Sequence, residues 1–96
     1  MPTIVDNPDA VIAIGARIQI PHPLDVALGE RIRLRRREIG ISQSELARRL
    51  GITFQQVQKY EHAANRVSFS RLVEIAQALD SSVADIVGDL DKRKVG

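Results

Sequence analysis

Hydrophobic residues between positions 25 and 90 recur at three- and four-residue spacing, the period of helices that bury one face. Polar residues that can cap free backbone amides, and glycines that can end a helix, divide this stretch into short segments. We predict five helices, whose capping residues are Asp25, Ser42, Thr53, Ser68 or Ser70, and Ser81 or Ser82. Glu45 follows Ser42 by three residues and completes a capping box at the second helix. The expected fold class is therefore all-α, a compact bundle of five short helices.

The link between the second and third predicted helices is very short, since only Gly51, Ile52 and Thr53 separate them. Two helices joined this tightly cross at a steep angle, which is the geometry of a helix-turn-helix. Gly51 can adopt the positive φ that a sharp turn needs. Ala47 is small enough for the two helices to approach closely. The apolar seam between them is expected to contain Leu46, Leu50, Ile52, Val57 and Tyr60.

Residues 1–24 differ from the helical region, because they contain all four prolines of the chain. Proline disfavours helix at its own position and at the residue before it. Between the prolines, Ala16–Ile20 alternates with a period of two, as a strand does. We expect an extended N-terminal arm, which could lie on the domain, pair with a second copy or be flexible. The expected organisation is an arm at 1–24, a helical domain at 25–90 and a polar tail at 91–96.

A chain of 96 residues has room for one domain, and its composition excludes several kinds of protein. The absence of cysteine excludes disulfides, thiolate metal sites and a cysteine nucleophile. No stretch has the length of a membrane span and no signal-peptide pattern is visible, so we expect a cytoplasmic protein. His22 and His62 have no companions at metal-ligand spacing, and no glycine-rich phosphate loop follows a strand. We therefore expect no enzymatic activity, no metal and no cofactor.

The net charge of +2 is small, but the charge is unevenly distributed. Residues 25–66 carry nine cations and five anions, whereas the segments on either side are slightly acidic. A basic centre indicates an anionic partner, although a solvated helix face explains it equally well. Helical geometry spreads the arginines of the first helix around its axis, so we expect most of the following to be solvated: Arg31, Arg33, Arg35 and Arg37.

The predicted helices also carry particular residues at fixed positions: Arg36, Gly40-Ile41-Ser42-Gln43, Glu45-Leu46-Ala47, Gly51, Val57, Tyr60-Glu61, Leu72, Ile75-Ala76 and Leu79. This set resembles the phage repressor and Cro type of helix-turn-helix regulator, called the XRE family, over residues 25–87. The sequence departs from the family pattern at Ala63, where glycine is common, and at Val67, where proline is frequent. Alanine at position 63 predicts either a strained backbone or a slightly different loop.

The resemblance implies a lambda-repressor-like fold in which the third helix, 54–61, enters the major groove of double-stranded DNA. By position, the residues that contact bases are Phe54, Gln55 and Lys59. The residues that contact the DNA backbone are Gln43, Thr53, Asn65 and Arg66. The implied function is a sequence-specific transcriptional regulator, most simply a repressor, associated with the nucleoid.

The resemblance also implies that Arg36 faces Glu61 and forms a partly buried ion pair that ties the first helix to the third. Regulators of this type usually bind as two copies on a pseudo-palindromic operator, so we expect a homodimer. The fifth helix, with Val83, Ile86 and Val87, is one candidate interface, and closing the hydrophobic core is an equal alternative for it. The N-terminal arm is the other candidate interface.

The alternative function is the antitoxin of a toxin–antitoxin pair, in which the chain binds a protein toxin as well as DNA. In that case residues 1–24 would become ordered on the toxin. A neighbouring small toxin gene would distinguish the two functions.

Overall fold

The computed structural model describes residues 20–92, which form five helices and, within that range, no strand. The helices are α1 (Pro23–Glu38), α2 (Gln43–Leu50), α3 (Phe54–Glu61), α4 (Phe69–Ala78) and α5 (Val83–Val87). The predicted all-α fold of five short helices is confirmed. The predicted arm lies outside the described residues up to position 19, and so does the tail from position 93.

The first helix begins two residues before the predicted cap, so the assignment of Asp25 as its cap was wrong. His22 is the N-cap, and its Nδ1 accepts a hydrogen bond from the Leu24 amide at 3.0 Å. Pro23 occupies the first helical position, where its missing N–H costs nothing and its fixed φ suits the helix. Asp25 lies within the first turn, and its carboxylate accepts a hydrogen bond from Arg66.

Ser42 caps α2 as predicted, with its hydroxyl accepting a hydrogen bond from the Glu45 amide at 3.0 Å. The predicted reciprocal half of this capping box is not observed, because the Glu45 carboxylate bonds to Arg48 and Arg49 instead. Two guanidinium groups one turn away attract the carboxylate more strongly than a single backbone amide does. The later helices resolve the remaining alternatives, since Ser68 caps α4 and Ser82 caps α5.

A full capping box is present at α3, which the sequence analysis did not identify. The Thr53 hydroxyl accepts from the Gln56 amide at 3.2 Å, and the Gln56 side chain accepts from the Thr53 amide at 3.2 Å. Gly51 takes the positive φ of 71° predicted for the turn before this helix. The turn is closed by the Ile52 amide, which donates to the Ala47 carbonyl at 3.0 Å. These bonds fix the direction in which α3 leaves α2.

One hydrophobic core lies between the helices and receives side chains from all five of them. Its largest fully buried members are Ile32, Leu46, Val57, Ile75 and Leu79. Ala47, the small residue expected where α2 and α3 approach, is also buried. Leu, Ile and Val at this period give each helix one apolar face, and burial of that face holds the short helices together.

Three arginines hold the C-terminal ends of α4 and α5, where backbone carbonyls lack helical partners. Arg35 donates to the Leu79 and Asp80 carbonyls at 3.1 Å, and Arg49 donates to the Ala78 carbonyl at 2.8 Å. Arg31 donates to the Val87 carbonyl at 3.0 Å. The interpretation of Arg31 and Arg35 as solvated residues was therefore wrong. Their positive charge also complements the negative ends of the two helix dipoles.

Gly29 marks a close approach of α1 to the end of α3. A Cβ at this position would lie 2.7 Å from the carbonyl oxygen of Tyr60 and 2.6 Å from that of Glu61. Only glycine therefore allows α1 and α3 to keep their present separation. Nothing in the periodicity of the sequence indicated this contact.

Candidate nucleic-acid interface

The α3 helix is buried along one side and exposed along the other. Val57 and Glu61 are buried, whereas Gln55 and Lys59 are exposed. Gln55 and Lys59 are four residues apart, so their side chains lie on the same face of the helix. Phe54, the first residue of α3, is 42% exposed although it is aromatic. The three side chains predicted to contact bases are thus all accessible on the third helix.

The other glutamines of α3 are less available. The Gln56 side chain is used in the capping box with Thr53, and Gln58 is half-buried. The Thr53 hydroxyl oxygen accepts a hydrogen bond in the same box, but the residue is exposed and its O–H can still donate to a ligand. Within α3 itself, the exposed residues are therefore Phe54, Gln55 and Lys59.

A buried ion pair anchors the end of α3 to α1. Arg36 Nε lies 2.6 Å from Glu61 Oε2, and Arg36 Nη2 lies 3.1 Å from Glu61 Oε1. The third nitrogen of the same guanidinium, Nη1, donates to the Ile41 carbonyl at 2.9 Å. Arg36 therefore links three elements, namely α1, α3 and the loop before α2.

Gln43 belongs to this buried network. The side chain of Gln43, the first residue of α2, is half-buried, and its Nε2 donates to Glu61 Oε1 at 3.0 Å. From the sequence, Gln43 was expected to contact the DNA backbone and Glu61 to form the ion pair, but a hydrogen bond between the two was not predicted. The only available signal was that both positions belong to the family pattern.

The loop between α3 and α4 presents Asn65 and Arg66 to solvent. Ala63, in the same loop, has a φ of 59°, so the strained backbone considered from the sequence is present. The Ala64 amide stabilises the loop by donating to the Lys59 carbonyl at 2.8 Å. Arg66 uses Nε to donate to Asp25 at 3.2 Å, while its side chain is 78% exposed.

The α5 helix offers less surface than the sequence analysis assumed. Ile86 is only 2% exposed and belongs to the core, so its side chain is not available to a second copy. For Ile86, the alternative role of closing the hydrophobic core applies, because the residue packs in the core beneath α5. Val83 and Val87 are half-buried and retain some exposed surface.

The charge distribution differs from the interpretation based on composition. Many cations of the basic centre are occupied in contacts within the chain, through Arg31, Arg35, Arg36 and Arg49. On α2, hydrogen bonds from Arg48 and then from Arg49 lower the pKa of Glu45 to about 2. At the end of α5, the hydrogen bond from Arg31 lowers the pKa of Asp89. The excess of positive charge is thus largely structural. Lys59 on α3 and Arg66 in the loop that follows are exposed cations.

Two kinds of site are not found within residues 20–92. No group of three or more potential metal ligands comes together in this range. No helix of the described chain is long and apolar enough to span a membrane.

A helix-turn-helix family, named HTH_3, matches residues 32–86, which include the end of α1 and the whole of α2, α3 and α4. The chain belongs to this family. The predicted resemblance to the XRE type of regulator is confirmed.

Relatives and solved structures agree with this membership. A protein of Sinorhizobium medicae described as an uncharacterized HTH-type transcriptional regulator is 55% identical over 64 residues, 67% of this chain and 46% of the relative. The chain thus spans about half the length of this curated relative.

Two solved structures share the fold. The clp gene regulator ClgR from C. glutamicum superposes with a TM-score of 0.69 at 28% identity, over 73% of this chain and 91% of that one. The P22 c2 repressor, solved in complex with a synthetic operator, superposes with a TM-score of 0.57 at 26% identity, over 64% of this chain and 92% of that one.

Proposed function

We propose that this helix-turn-helix domain binds double-stranded DNA sequence-specifically as part of a bacterial transcriptional regulator. The observation that carries the proposal is the exposed edge of α3, on which Phe54, Gln55 and Lys59 are accessible. The opposite side of the helix is fixed by the core and by the ion pair at Glu61. A rigid helix with polar side chains near its N-terminus is the element that such domains insert into the major groove.

The three side chains suit the chemistry of base edges. The Gln55 amide can pair with the N6 and N7 atoms of adenine, and the Lys59 ammonium can donate to O6 and N7 of guanine. The Phe54 ring can lie against the methyl group of thymine, which gives an exposed aromatic residue a role. Because these groups read different features of the groove, the edge can discriminate between sequences.

The residues proposed to contact phosphate lie before and after α3 in the sequence. Thr53 precedes α3, Asn65 and Arg66 follow it, and Gln43 begins α2. Such contacts set the register of the recognition helix but carry no sequence information themselves. The P22 c2 repressor with its operator supports this arrangement by analogy of fold.

We further propose that two copies bind together, because one recognition helix reads only a few base pairs. In such dimers the two helices lie about 34 Å apart on a pseudo-palindromic site. The exposed parts of Val83 and Val87 on α5 are the proposed interface. We infer repression as the simplest outcome, since a bound domain can block polymerase. A regulator with this role would act at the nucleoid, in the cytoplasm. No observation on residues 20–92 favours the antitoxin alternative.

Selection of bound duplexes from a random DNA pool at near-physiological salt tests the proposal. We expect an enriched sequence with two-fold symmetry, which would define the operator. If no sequence is enriched, or if binding is sensitive to salt but not to the DNA sequence, the proposal of a sequence-specific regulator is contradicted.

A substitution of Lys59 by alanine tests the assignment of the reading edge. If Lys59 contacts a base, the variant should lose preference at one position of the selected duplex, at a cost of about 1–3 kcal/mol. Lys92→Ala is the matched control, because this exposed lysine follows α5. A uniform loss of affinity for all sequences would instead assign Lys59 to phosphate.

A further inference from the structure

The buried carboxylate of Glu61 contacts a residue that we assign to the DNA backbone. We propose that Glu61 is a positioning residue for DNA binding, which holds the Gln43 amide so that its second N–H reaches a phosphate. This inference rests on the proposed function. It assigns to the buried ion pair a role in recognition in addition to its role in joining α1 to α3.

The hydrogen bonds around Glu61 determine how Gln43 is oriented. The Glu61 side chain has no exposed surface, and its Oε1 accepts from both Arg36 Nη2 and Gln43 Nε2, at 3.1 and 3.0 Å. An ionised carboxylate can only accept hydrogen bonds, whereas a glutamine amide has a donor end and an acceptor end. The donor end of Gln43 must therefore face Glu61, since its oxygen would repel the carboxylate.

The orientation leaves one N–H of the Gln43 amide for another acceptor. Nitrogen Nε2 carries two hydrogens, and Glu61 uses only one of them. Gln43 is the first residue of α2, where the positive end of the helix dipole favours an anion. A phosphate oxygen at this position can accept the second N–H, so that the amide bridges the buried carboxylate and the DNA.

The arrangement also lowers the entropic cost of the contact between Gln43 and a phosphate. A glutamine free in solvent loses rotamer freedom when it contacts a phosphate, which weakens the contact. Gln43 is half-buried and already bonded, so part of this freedom has been lost on folding. Arg36 contributes indirectly, because it holds Glu61 and also bonds the Ile41 carbonyl two residues before Gln43.

The orientation can be tested first in the free protein, without DNA. Relaxation of side-chain ¹⁵N nuclei should show a restricted Gln43 amide and a mobile Gln55 amide, the latter serving as the exposed glutamine control. In a variant carrying both Arg36→Met and Glu61→Met, the Gln43 amide should become as mobile as that of Gln55. This pair of changes replaces two buried charges together, which avoids leaving one of them unpaired. Equal mobility of Gln43 and Gln55 in the unmodified protein would overturn the proposal, whether or not the double variant folds.

A double-mutant cycle then tests the link to DNA, using the duplex enriched from the random pool and a scrambled duplex of the same length. In the unmodified background, Gln43→Ala should weaken binding to both duplexes about fivefold to tenfold. In the background that carries both Arg36→Met and Glu61→Met, the same substitution should have little further effect on affinity. Lys59→Ala is the control, and it should cost the same factor for the enriched duplex in both backgrounds. Because glutamine is neutral, the dependence of affinity on salt should keep its slope in Gln43→Ala.

The outcomes separate this inference from the proposed function. If Gln43→Ala weakens binding equally in both backgrounds, Glu61 does not position Gln43 and the inference fails while sequence-specific binding stands. If Gln43→Ala has no effect in the unmodified protein, Gln43 contacts no phosphate and the inference fails as well. If the unmodified protein enriches no duplex, the proposed function itself fails.

Discussion

Replacement of Gly29 by alanine should destabilise the domain, although alanine is the better helix former. Gly29 lies within α1, and in an unhindered helix this change would stabilise the protein by about 1 kcal/mol. The sign of the effect therefore tests whether α1 and α3 are as close as they are in the structure.

The magnitude follows from the two carbonyl oxygens that face Gly29. A Cβ would lie 2.7 Å from the oxygen of Tyr60 and 2.6 Å from that of Glu61, whereas ordinary contacts begin at 3.4 Å. Both neighbours are backbone atoms of α3, which cannot rotate away as a side chain could. Overpacking costs about 1–3 kcal/mol, and the upper part of this range, about 2–3 kcal/mol, applies here because both contacts are shorter than 3.0 Å and involve backbone atoms. The helix propensity of alanine offsets about 1 kcal/mol of this cost. We expect a net loss of about 1–2 kcal/mol, or a melting temperature lower by about 5–15 °C.

Urea denaturation and thermal melting measure this effect directly. Ser44→Ala is the control, because Ser44 is an exposed residue of α2 and its replacement should change stability by less than about 0.5 kcal/mol. Gly29→Ala as stable as the unmodified protein, or more stable, would refute the close approach of α1 and α3.

Three further predictions concern the buried pair, an exposed charge cluster and α5. Arg36→Ala should lower the free energy of unfolding by about 3–5 kcal/mol, because it leaves the buried Glu61 carboxylate without its partner. An unchanged midpoint in urea denaturation would contradict this prediction. NMR titration should give Glu45 a pKa of about 2, and Arg48→Ala should raise this pKa towards 4.5. A pKa already at 4.5 in the unmodified protein would contradict the hydrogen bonds from Arg48 and Arg49 to Glu45. Because this pKa is lowered on folding, the contribution of Glu45 to stability is present above pH 4.5 and is lost as pH falls towards 2. Val87→Asp should sediment as a monomer with its helical circular dichroism intact, and a persistent dimer would assign the interface elsewhere.

Most of the fold could be predicted from the sequence because short-range chemistry determines it. Ser42 and Thr53 can cap a helix through their own hydroxyls, and Gly51 permits the turn between α2 and α3. These features depend on residues within four positions of each other. The first helix shows the limit of such reasoning, because two capping arrangements competed there. His22 with Pro23 prevailed over Asp25, whose carboxylate has a long-range partner in Arg66.

The contacts that could not be predicted join residues far apart in the chain. Arg31 and Arg35 are charged residues on a helix, a pattern that usually indicates a solvated face. Their partners are carbonyls 44 to 56 residues away, and no periodicity reveals them. Gly29 is similar, because its role depends on how closely α3 passes.

The residues of the candidate site could be predicted from the sequence, but the hydrogen bonds between them could not. The accessibility of Gln55 and Lys59 follows from their spacing opposite Val57 and Glu61. The bond from Gln43 to Glu61 required the structure, because it depends on where α2 begins relative to the end of α3.

Contact between the exposed edge of α3 and DNA can be detected by mapping the amide and side-chain chemical shifts of the ¹⁵N-labelled protein as the enriched duplex is added. We expect the largest chemical-shift changes at Phe54, Gln55 and Lys59, with further changes at Gln43 and in the loop at Asn65 and Arg66. The end of α4 should remain unchanged. Chemical-shift changes centred on another surface, with α3 unaffected, would refute the assignment of α3 as the recognition helix.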